Sequence, residues 1–106
     1  MNDRPVPTTA RQWLLERTAQ GPTALRERVL EHAAAVTEGG SLAEHLALAA
    51  ERVLAIVEEH PGDRSIALDL LAADALITLA LLAQAETAPA QLGAFAEGLL
   101  AAERSV

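Results

Sequence analysis

Ile66-Ala-Leu-Asp-Leu-Leu-Ala-Ala-Asp-Ala-Leu-Ile-Thr-Leu-Ala-Leu-Leu-Ala83 is the stretch that decides the fold. Leucine and alanine are strong helix formers, so it reads as one long helix. At roughly 100° per residue, Ala67, Leu70, Leu71, Asp74, Thr78, Leu81, Leu82 and Ala85 share one side. That side carries the most leucine and is expected to be buried. Asp74 would then be a buried carboxylate, which is costly unless it is paired, hydrogen-bonded or protonated. Asp69 falls among Ser65, Ala73, Ala80 and Gln84, a small-residue side expected to face water.

Outward from this helix the punctuation is regular. Pro5-Val6-Pro7 reads as an extended lead-in over residues 1–8, and residues 9–106 as one domain. Thr9-Ala-Arg-Gln12 and Ser41-Leu-Ala-Glu44 are capping-box patterns that open a first helix to about Ala19 and a third to about Glu59. Gly21-Pro22-Thr23 starts a second helix, ended by Gly39-Gly40. Pro61-Gly62-Asp63 is a sharp turn into the fourth, which runs from about Arg64 to Glu86. Thr87-Ala88-Pro89 opens a fifth, with Leu92, Phe95, Ala96 and Leu99 on one face. The expected fold is all-α, a compact bundle of four main helices plus a short N-terminal one, with short connections and mostly antiparallel neighbours.

Composition narrows the function classes. The 106 residues are 51% hydrophobic but only 2% aromatic, so alanine and leucine must fill the core. There is no cysteine, which removes disulfides and thiolate metal sites. The net charge of −7, with 15 acidic against 8 basic residues and no lysine, argues against nucleic-acid binding. The long helix is of membrane-spanning length, but Asp69 and Asp74 would each cost about 2.5–3.5 kcal/mol near a bilayer centre. A soluble cytoplasmic protein is the expectation.

For chemistry the sequence offers one candidate. His32 lies on the apolar stripe of the second helix with Leu25, Val29, Ala33 and Val36. It could meet Asp74, with Thr78 one turn beyond. An aspartate holding one imidazole nitrogen leaves the other as a base or ligand, so His32, Asp74 and Thr78 are the candidate catalytic set. The competing expectation is structural, with Asp74 paired to Arg28, Arg52 or Thr78. No single helix shows metal-ligand spacing, and no phosphate loop or nucleophile elbow is present; no metal and no cofactor are expected.

Two local patterns resemble known families. Arg26 and His32 have the Arg-x5-His spacing of the HEPN helical ribonucleases, but six residues leave the two side chains about 120° apart on a helix. Leu70–Ala80 resembles one helix of the trans-prenyl diphosphate synthases, without the Asp-Asp-x-x-Asp motifs that bind magnesium diphosphate there. Neither implies a function for this chain.

Leu30, Leu48 and Leu54 lie off the predicted stripes, and a two-fold homodimer would cover them. The sequence thus points to a self-associating interaction or accessory module, a homodimer that can also take a protein partner, with a ligand-binding or catalytic bundle built on His32 and Asp74 as the alternative.

Overall fold

The computed structural model describes residues 10–37, 40–60, 62 and 64–104. Five helices run in order: α1 (Ala10–Arg17), α2 (Thr23–Ala35), α3 (Leu42–Glu59), α4 (Arg64–Thr87) and α5 (Leu92–Arg104), the last preceded by a 3-10 turn, Pro89–Gln91. The fold is all-α, four main helices and a short N-terminal one, with no strand among the described residues. The lead-in over residues 1–8, Thr9 of the first capping box, Gly39, Pro61 and Asp63 lie outside the described residues.

Local chemistry sets the helix ends. At α3, the Ser41 hydroxyl accepts from the Glu44 backbone N–H at 3.1 Å, and the Glu44 carboxylate accepts from the Ser41 N–H at 3.2 Å. This is the reciprocal capping box that the sequence pattern predicts. Between α3 and α4, Gly62 adopts φ +88°, a left-handed conformation that a side chain would strain. Pro89 starts the last turn because its missing N–H is not needed there.

The largest helix–helix interface is α3 against α4, with α2 packed on both and α5 closing one side. Alanine lines this seam: Ala43, Ala47, Ala49 and Ala50 on α3, and Ala72, Ala73, Ala80 and Ala83 on α4, all buried in one cluster with Leu46, Val53 and Leu76. The stripe expected on α2 is also inward, with Val29, Ala33 and Val36 buried.

The register of α4 is the reverse of the expectation. Its buried residues are Ile66, Asp69, Ala72, Ala73, Leu76, Leu79, Ala80 and Ala83. Leu70, Leu71 and Leu82 are 51%, 55% and 38% exposed, and Asp74 and Thr78 lie exposed among them. A helix apolar all round gives periodicity no clear choice of face. Small residues settle it, because alanine against alanine lets two backbones approach and pack densely, whereas the leucine side would hold them apart. Leu30, Leu48 and Leu54, expected outside the core, are partly buried and packed against it.

Candidate functional site

The densest polar arrangement joins α2 to α4. On α2, Arg28 and His32 stand one turn apart, so both reach the same neighbour. That neighbour is Asp69, near the start of α4 and only 6% exposed. Its Oδ1 accepts from Arg28 Nη1 at 2.6 Å and from His32 Nε2 at 2.8 Å. An ionised carboxylate cannot donate, so Nε2 carries the ring proton. Arg28 also reaches Glu31 through Nε at 3.5 Å.

Burial opposes ionisation of Asp69, but the hydrogen bonds from His32 and Arg28, aided by their charge, outweigh it and hold the carboxyl below its ordinary value. A folded-state value lower than the unfolded one stabilises the protein above the unfolded value, about 3.9 for aspartate, and that contribution is lost as pH falls through the folded value. Glu86, held low by Arg17 and Trp13, acts with the same sign at the surface. Urea midpoints should therefore fall below about pH 4, and the fall should be shallower in Asp69→Asn than in the wild type. Equal acid slopes in the two proteins would remove Asp69 from this role.

The predicted set is not assembled. His32 is inward as expected, but it meets Asp69 and not Asp74, so the His32–Asp74 pair is corrected. Asp74 projects on the opposite side of α4, and the Thr78 hydroxyl donates at 3.1 Å to the Asp74 backbone carbonyl, not to its carboxylate. Arg52 is exposed. Arg26 donates to the Thr18 hydroxyl and the Leu15 carbonyl, each at 3.3 Å, so it is turned to α1 and away from His32. His45 Nε2 donates to the Ala33 carbonyl at 2.8 Å, tying α3 to the end of α2, and His60 is the exposed C-cap of α3.

Compared with known proteins, the chain matches no family model, no curated protein and no solved structure. Its chemistry must be read from its own residues. The grooves between α3 and α5 (Leu48, Phe95, Leu99) and between α1, α2 and α4 (Leu25, Val29, Leu79) are apolar, and neither is lined by His32 or Asp69. Among the described residues no three histidine or acidic side chains converge on one point. What the cluster does is lock α2 against α4 at a defined rotation.

A second tie fixes α1. Trp13 Nε1 donates to Glu86 Oε1 at 3.1 Å, Arg17 Nη2 pairs with Glu86 Oε2 at 2.8 Å, and the guanidinium lies 5.0 Å from the Trp13 ring centre. Sequence reasoning missed both clusters. A signal for the first existed, since Arg28 and His32 share one face of α2.

The remaining candidate is the outer face of α4. Ala67, Leu70, Leu71 and Leu82 are exposed, with Leu81 and Ala85 half-buried beside them. Two apolar patches on one exposed helix face, separated by Asp74 and Thr78, mark an interaction surface more often than scattered single leucines do.

Proposed function

We propose that the protein is a small self-associating module that works by protein–protein docking through the outer face of α4. One observation carries this reading: the most leucine-rich side of the most apolar helix points away from the core. The earlier basis, Leu30, Leu48 and Leu54, gives way to Leu70, Leu71 and Leu82. An acidic chain with net charge −7 is repelled by nucleic acid and anionic lipid, which favours a protein as the covering surface and a soluble, cytoplasmic setting.

A homodimer is the simplest assembly, since a two-fold lays one patch on its own copy. One helix stripe offers less than the roughly 800 Å² per partner of a standard interface, so the dimer should be reversible. Sedimentation velocity should show a concentration-dependent dimer at micromolar concentration. Leu71→Glu should be monomeric with an unchanged helical circular dichroism spectrum. A wild type that stays monomeric across that range would sink the reading.

A further inference from the structure

The outer face of α4 is self-complementary in a way that fixes how two copies meet. Its residues are placed symmetrically about position 76: Asp74 and Thr78 two residues to either side, Leu71 and Leu81 five, Leu70 and Leu82 six, Ala67 and Ala85 nine. On the outward arc alanine answers alanine and leucine answers leucine, with a carboxylate answering a hydroxyl at the centre; the half-buried flanks, where Ala75 stands opposite Ile77 and Leu68 opposite Gln84, do not follow the pattern. Leu76 itself is fully buried, so only the outward residues carry the pattern.

Two antiparallel helices related by a two-fold axis place each residue level with the one equally far beyond the centre on the other helix. We infer that the second copy docks α4 on α4, antiparallel, with the axis at the level of Leu76. This rests on the self-association proposed above. The Leu70–Leu71 pair of one copy lies level with the Leu81–Leu82 pair of the other, and the alanines close both ends. Across the centre, Asp74 faces Thr78 of the second copy, and the symmetry makes this pair twice. The Thr78 hydroxyl, which in the single chain donates to a backbone carbonyl, turns to donate to the carboxylate.

This gives Asp74 a reason to interrupt an apolar stripe. A polar group inside an apolar seam costs stability and selects register and orientation. In a parallel dimer Asp74 would meet Asp74, and like charges across an interface oppose association. Lipid offers the carboxylate no partner, and an unrelated protein would have no use for a face symmetric about its own middle.

Sedimentation equilibrium on the full chain tests the geometry through a swap. Thr78→Asp sets carboxylate against carboxylate twice and should weaken dimerisation about tenfold or more. Adding Asp74→Thr to the same chain recreates both pairs in mirror order and should restore the affinity. If the double variant is as weak as Thr78→Asp, or if neither differs from the wild type, the antiparallel geometry is wrong even though the protein dimerises. A monomeric wild type, or a wild type that floats as a monomer with phosphatidylcholine–phosphatidylglycerol vesicles, overturns the self-association itself.

The absence of native cysteine allows a check that does not depend on charge. Leu71→Cys mixed with Leu82→Cys should form a disulfide-linked heterodimer on mild oxidation, while neither variant links to itself. Self-linking of Leu71→Cys alone would show a parallel pair and overturn the inference.

Discussion

Asp69→Ala should destabilise the protein by about 3 kcal/mol, whereas Asp74→Ala should change the stability of the single chain by less than about 0.5 kcal/mol. Breaking a buried ion pair costs more than the pair contributes, because the surviving groups lose the partner that repaid their burial; Arg28 keeps only the exposed Glu31, 3.5 Å away. Here the survivors are Arg28 and His32, whose side chains keep 28% and 17% exposure. They can recruit some water, which places the cost at the lower end of the range of about 3–5 kcal/mol. For a domain of this size that is a Tm drop of about 10 °C or more. Asp74 has solvent around it and loses little as alanine, provided the measurement is made dilute enough that dimer is absent. Equal effects at the two positions would mean that α4 is rotated from the register described above.

The second large effect is expected inside the alanine seam. Leu76 is fully buried beside Leu46 and Val53, so Leu76→Ala removes packed methyl groups and leaves a cavity. Buried leucine-to-alanine changes cost about 2–5 kcal/mol, and neighbouring alanines have little side chain with which to refill the space. Leu71→Ala, at a residue 55% exposed, should cost almost nothing to the dilute monomer. Chemical denaturation of both variants at low concentration measures the contrast. It also separates folding from association, since only the Leu71 change should weaken the dimer. A Leu76→Ala protein as stable as the wild type would contradict the packing of α4.

The sequence made the elements legible because their ends are written in local chemistry. Ser41 and Glu44 cap α3 through bonds they make with each other's backbone, and Gly62 turns the chain where only glycine is comfortable. The α2 stripe was legible too, since Val29, Ala33 and Val36 stand out against Arg28, Glu27 and Glu31. The facing of α4 was not. Hydrophobic periodicity weighs leucine above alanine, and a helix with both kinds of side exposes whichever one the neighbour does not need.

That reversal displaced the candidate site. Asp69 and Asp74 are five residues apart and point to opposite sides, so choosing the wrong side exchanged the buried aspartate for the exposed one. Arg28 and His32 both entered the sequence reading, but as alternative partners of Asp74 and not together on Asp69, where the structure has them. The symmetry of the outer stripe was present in the sequence throughout, but it has meaning only once those residues are known to face outward.

The alanine seam also shapes how stability responds to temperature. Alanine has no rotamers to lose on burial, so packing it costs less entropy than packing leucine or methionine. It also withdraws little apolar surface from water, and the heat capacity of unfolding follows that surface. A bundle closed by Ala43, Ala47, Ala50, Ala72, Ala73 and Ala80 should therefore show a shallow stability curve, its maximum spread over a broad interval with little loss in the cold.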